Sequence, residues 1–198
     1  MKKFLLSGLI SMLFVSLAVA QEFKKQPTTI TPLSITEFEV KDKNGNTKTV
    51  NLKGKKFVVV SVSEPGSDGK SYAVDEDGTV WWQDDIASGA QGHETSTGIF
   101  PVLVKRRYHM SATHPSANGV NNMDFEILFT QDGQALHLGH TKMLSHGCVH
   151  VGQKDIAAMF KWVDMKTKIV VLRGYYGQFL NKELKSFQND IKAYNKSH

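Results

Sequence analysis

Ala135-Leu136-His137-Leu138-Gly139-His140-Thr141-Lys142-Met143-Leu144-Ser145-His146-Gly147-Cys148-Val149 is the stretch on which the reading of this chain turns. It opens on a strand-type run, Ala135 to Leu138, passes through a short loop, and ends on the chain's only cysteine. The strand gives His137 a rigid mount, and the loop is free to fold Cys148 back towards it. After the cysteine the hydrophobic period changes. Ile156, Met159, Phe160 and Val163 follow i, i+3, i+4, i+7, which predicts a helix beginning near Asp155.

Working outward, the remaining signal is β. Lys56 to Ser63 (KFVVVSVS) has the length and β-branched content of a buried strand. Ser71 to Ala73 and Thr79 to Gln83 flank the turn Asp75-Glu76-Asp77-Gly78, and Phe125 to Thr130 and Ala135 to Leu138 flank Gln131-Asp132-Gly133-Gln134. Gly98 to Val104 reads as one further strand, and Thr167 to Leu172 as the last. Val40 to Leu52 reads as a hairpin around Lys43-Asn44-Gly45-Asn46. Leu180, Leu184, Phe187, Ile191 and Tyr194 predict a C-terminal amphipathic helix whose stripe packs on the domain. Many short strands with Gly, Asn and Asp turns make a mostly-β sandwich or barrel.

The ends bound the rest. Lys2 and Lys3, the apolar stretch Phe4 to Leu17 and Ala18-Val19-Ala20 have the order of a secretory signal, with Gln21 as the mature start. A retained membrane anchor is the alternative, but the apolar core is short and lacks a basic flank. The expected organisation is a signal peptide at 1–20, an N-terminal lead-in with a hairpin at 21–55, a main domain at 56–173 and a helical extension at 174–198. Without Lys2 and Lys3 the chain carries 22 basic and 19 acidic residues, a net charge of +3. That is compatible with an anionic polymer but far from the Lys/Arg stripe of a nucleic-acid binder. No stable membrane span is expected after signal cleavage. An exported protein usually pairs its cysteines or lacks them, so a single unpaired one reads as a working residue.

Cys148 has the surroundings of a thiol acyl-transfer site. The attacking species is the thiolate, and an imidazole in reach takes the proton, giving a thiolate–imidazolium pair. Glycine beside the nucleophile permits a sharp turn that aims amide N–H groups at a developing oxyanion. On this reading Cys148 is the nucleophile and His137 the general base and acid. His146 and Gly147 shape the turn and line the oxyanion site, with Ser145 and His150 in support. No cofactor and no metal are expected.

These residues resemble the L,D-transpeptidase catalytic domain (YkuD-like) family, whose signature is a strand-borne His followed by Ser/Thr-His-Gly-Cys. Thr95-Ser96-Thr97-Gly98-Ile99-Phe100, preceded by Ser88-Gly89, is similar to a second family segment, and the likeness runs from about Lys56 to Arg173. The resemblance implies a β-sandwich and attack by Cys148 on the carbonyl of the third residue of a peptidoglycan stem peptide. The terminal D-amino acid leaves, a thioester forms, and an amine of a second stem takes the acyl group; with water as acceptor the same site is an L,D-carboxypeptidase or endopeptidase. It also implies a periplasmic or envelope location. This chain departs from the family pattern at His150, usually Arg or Asn, at Ser96, usually Pro, in a short loop after the histidine, and at Leu138, where Gly commonly follows the base.

Other readings of the same residues stand beside this one. His137, His140, Cys148 and His150 have spacings compatible with zinc, but no carboxylate lies between Gly133 and Gln153. His140 is a second candidate base, placed out in the loop. Trp81 and Trp82 are neighbours on a strand, so one is expected inside and one outside. His109, Met110, Ser111 and His114 fall in a stretch that reads as a lid or a plain surface loop. A non-catalytic peptidoglycan-binding module would have no use for the thiol.

Overall fold

In the computed structural model, which describes residues 28–63, 68–111 and 121–180, strands dominate. The first half of the chain gives β1 (Thr29–Pro32), β2 (Glu37–Lys41), β3 (Thr47–Asn51), β4 (Phe57–Val62), β5 (Gly69–Val74) and β6 (Val80–Ala87). Four shorter strands follow, β7 (Gly98–Pro101), β8 (Val104–Arg106), β9 (Met110–Ser111) and β10 (Asn121–Asn122). The site region is built from β11 (Glu126–Leu128), β12 (Ala135–Leu138), β13 (Val149–Val151), helix α1 (Gln153–Trp162) and β14 (Lys168–Arg173). A 3-10 turn, Gly177–Phe179, closes the described chain. The signal segment 1–20, His114 and the expected C-terminal helix beyond Leu180 lie outside the described residues.

Nine strands pair in the order β7-β14-β4-β5-β6-β13-β12-β11-β8. Laid flat, the two edges of such a sheet would stand about 38 Å apart at the usual strand spacing. Yet β7 and β8 are those edges, and only Val102 and Leu103 join them, a reach of about 10 Å. The sheet therefore curls over on itself into two layers, with β6 passing from one to the other through its pairings with β5 and β13.

Between the layers lies a core of Val58, Val60, Val62, Ile86, Ile127, Leu136, Val149, Val151, Ile169 and Val171, sealed by Ile156 and Met159 of α1. The alternate residues of β4 and β14 are apolar as well. Phe57, Val59, Val170 and Leu172 point to the other face, where Ile30, Phe38 and Leu52 of the N-terminal segment cover them with Tyr72 and Tyr176. Phe38 meets Phe57 edge-on at 5.9 Å and stacks on Tyr176 at 6.2 Å. Burial on both faces explains why KFVVVSVS shows no polar alternation.

Two expectations change, and the lead-in gains a strand: Thr29–Pro32 pairs with β2 as an edge strand. There Pro32, which lacks an N–H, closes the strand's end. Gly98 to Val104 is not one strand: it breaks at Pro101 into β7 and β8 on opposite edges. Trp81 and Trp82 do not split between inside and outside. The register passes from Ala73↔Trp82 to Val74↔Val80, so Trp81 is the extra residue of a bulge. Both rings end up half-buried, 5.4 Å apart. The hairpin at 43–46, the strand at 56–63, the helix after the cysteine and the final strand stand as read.

Candidate active site

The site is built on the parallel pairing of β12 with β13, in the register Leu136↔Val149, His137↔His150 and Leu138↔Val151. Leu136 and Val149 belong to the core, so Ala135, His137, Cys148 and His150 project from the opposite face. Cys148, two residues before His150, is thus a diagonal neighbour of His137 across adjacent strands. His150 lies directly across from His137, with the rings 5.1 Å apart and edge-to-face.

His137 is buried, and its Nδ1 lies 2.7 Å from the carbonyl oxygen of Leu138. A carbonyl only accepts, so Nδ1 carries the proton and Nε2 keeps its lone pair. No sequence signal marks this orienting partner, because any residue type supplies a backbone carbonyl. Burial, reinforced by His150, pushes the imidazolium down to about 4, against the opposing bond to Leu138. The thiol is shifted the other way: burial raises the Cys148 pKa, the Ala135 backbone N–H works against the rise, and the Glu126 and Asp132 carboxylates add to it. The Cys148 Sγ donates to the Gly133 carbonyl at 3.7 Å. Both shifts favour the neutral forms, thiol on Cys148 and imidazole on His137.

The turn before the nucleophile is tightly specified. Ser145 Oγ accepts the Gly147 N–H at 3.0 Å and donates to the Cys148 carbonyl at 2.6 Å. The Gly147 amide is thereby committed to Ser145, and the residue sits at φ +115°, in the region open to glycine. Thr95 Oγ1 donates to the Gly147 carbonyl at 3.0 Å and accepts the Gly89 N–H at 2.9 Å. Ser145 also exchanges backbone bonds with Ser88 and Ala90. Ser88, Gly89 and Thr95 thus form the floor under the cysteine loop. Ser96 donates its N–H to Oε1 of Gln134, a buried residue that sequence reading passed over as a turn position.

His146 is exposed, its ring 4.7 Å from that of His93. His150 Nδ1 bonds the Met143 carbonyl at 2.8 Å and pins the loop over the site. Gly139, one position beyond the departure at Leu138, has a steric reason: a Cβ there would lie 2.5 Å from Cγ of His150. His140 is exposed in the loop, where Nδ1 accepts the Lys142 N–H at 3.2 Å. Among the described residues no three His, Cys, Asp or Glu side chains converge in a way that could hold a metal ion. Of the stretch read as a lid or a surface loop, His109 stands with Nδ1 3.0 Å from Oε2 of the buried Glu126, which also takes Arg106 at 2.6 Å. No helix among the described residues is long and apolar enough to cross a membrane.

The model of the L,D-transpeptidase catalytic domain family, YkuD, matches residues 55–171. Among solved structures, the LD transpeptidase LdtMt1 in complex with imipenem superposes with a TM-score of 0.50 at 17% identity, covering 69% of this chain and 67% of that one. An L,D-transpeptidase of Stackebrandtia nassauensis gives 0.48 at 21% identity over 63% and 60% of the two chains. A mutant L,D-transpeptidase of Enterococcus faecium gives 0.48 at 18% over 60% and 50%. The chain thus spans between half and about three-fifths of the length of these last two relatives. At such identities the likeness concerns the fold. No curated protein sequence matches the chain.

Proposed function

Because the chain belongs to the L,D-transpeptidase catalytic domain family, we propose that it is an exported cysteine acyltransferase of peptidoglycan stem peptides, with Cys148 as nucleophile and His137 as general base and acid. The observation that carries this reading is the His137 Nδ1 bond to Leu138, which leaves Nε2 as a base on the face that bears the thiol. As Sγ attacks the carbonyl of the third stem residue, Nε2 takes the thiol proton, so no thiolate need persist beforehand. An imidazolium with a pKa of about 4 is a strong acid, suited to handing that proton to the leaving amine of the terminal D-amino acid. The C–N bond breaks and a thioester remains on Cys148. An amine of a second stem then attacks the thioester, loses its proton to His137, and the thiol departs.

With the Gly147 N–H held by Ser145, the Cys148 amide is the donor nearest the oxyanion, a contribution typically worth about 3–4 kcal/mol in the transition state. We place the acyltransferase unit at 56–173, behind a signal peptide at 1–20 and a lead-in at 21–55, with 174–198 as an extension. The mature protein then works in the periplasm or at the envelope. Incubating purified protein with digested sacculi tests the reaction: new cross-linked dimers mean transfer, shortened stems mean hydrolysis with water as acceptor, and the absence of both products rules out the acyltransferase. Cys148→Ala should abolish both products while folding is retained.

A further inference from the structure

Gln134 is 4% exposed and stands where the 131–134 turn enters β12. Its Oε1 accepts the Ser96 N–H at 2.9 Å, while its Nε2 is sealed from solvent and has no hydrogen-bond acceptor among the described residues. A buried donor left unpaired costs about 1–3 kcal/mol, so the position asks for a reason. The Ser96 bond fixes which end of the amide faces which way, since only Oε1 can accept. The N–H2 end is thereby turned to Gly147, 3.1 Å from the point that a Cβ there would occupy. Gly147 is held on its other sides by Ser145 at its N–H and Thr95 at its carbonyl. The backbone either side of Gln134 touches the thiol itself, through the Gly133 carbonyl and the Ala135 N–H.

We infer that Gln134 is a positioning residue for Cys148: its side-chain amide, tied to Ser96, packs under Gly147 and holds the following N–H, that of Cys148, in the direction that receives the oxyanion. The inference rests on Cys148 being the acyl-forming nucleophile. It assigns Gln134 no contact with substrate and no proton transfer.

Two reactions of the same thiol separate positioning from general packing. Acylation by a carbapenem opens the lactam, places the acyl carbon on Sγ and needs an oxyanion donor. Alkylation by iodoacetamide displaces iodide from a saturated carbon and develops no oxyanion. Gln134→Met keeps the length without polar atoms, and Gln134→Glu keeps the acceptor for Ser96 but loses the N–H2; if the first does not fold, the second carries the test. In both, the acylation rate should fall about 10- to 100-fold, while the plateau alkylation rate at high pH stays within about threefold of wild type. Unchanged acylation overturns the inference, and so does an equal loss of both rates, which marks Gln134 as packing alone. Wild-type protein that alkylates at Cys148 but takes no acyl group overturns the nucleophile reading and this inference with it.

Discussion

Replacing Gly89 by alanine should damage the floor of the cysteine loop more than any comparable glycine change at the surface. A Cβ there would lie 2.0 Å from the His93 carbonyl oxygen, 2.8 Å from the Thr95 nitrogen and 3.0 Å from the Glu94 carbonyl carbon. All three are backbone atoms, so no side chain can swing aside, and the 93–95 segment must move bodily. That movement pulls on the Gly89 N–H bond to Thr95 and the Thr95 bond to Gly147. Overpacking of this kind costs about 1–3 kcal/mol, and each lost bond about another 1 kcal/mol. The expected total is about 3–5 kcal/mol, read as a lowered urea midpoint, with carbapenem acylation slowed in the fraction that folds. Gly92→Ala is the control. Gly92 has φ +81° but open space around it, so it pays only backbone strain, about 1–2 kcal/mol. A Gly89→Ala protein no less stable than Gly92→Ala would refute the account of this floor.

Stability near pH 5 should reflect two opposed groups. His137 has a folded pKa of about 4, below its unfolded value of about 6.5, so between those limits the unfolded chain binds more protons and acid destabilises. The full loss on going from pH 7 to below pH 4 is about 3 kcal/mol. Asp84 is pushed up to about 6, by burial first and the Asp155 charge second, so it favours the folded state in acid over a similar window. Urea midpoints of Asp84→Asn should therefore rise more steeply from pH 4 to 6.5 than those of wild type, while His137→Gln should flatten or reverse the trend. Phe38→Ala removes a fully buried ring between Phe57 and Tyr176 and should cost about 3–5 kcal/mol. Its acylation rate below the unfolding temperature should match wild type, since Phe38 lies on the face away from the thiol. Glu126→Gln strips the charge that pairs the half-exposed Arg106 and should cost about 1–2 kcal/mol in urea, less of it with Arg106→Met in the same chain.

What the sequence revealed and what it hid follow from the kind of signal each feature leaves. Phe57–Val62 and Lys168–Arg173 are legible because burial on both faces demands unbroken β-branched runs. The α1 stripe is legible because only Ile156, Met159 and their helical neighbours meet the core. The split at Pro101 was hidden, since apolar residues continue through Val102 and Leu103 while the chain changes from one edge of the curled sheet to the other. The bulge at Trp81 was hidden because register is a property of the pairing, not of either strand. Cys148 and His137 could be proposed from residue type and order alone. The Leu138 carbonyl beside His137 and the Gln134 amide beside Ser96 could not, because only the fold puts them there.

The most direct test of the central claim is the intact mass of the protein after reaction with a carbapenem, followed by peptide mapping. The account predicts one added carbapenem mass, carried on Cys148, absent from Cys148→Ala, and formed far more slowly in His137→Gln. An adduct on any other residue, or an unmodified wild-type protein whose Cys148 still reacts with iodoacetamide, would contradict it.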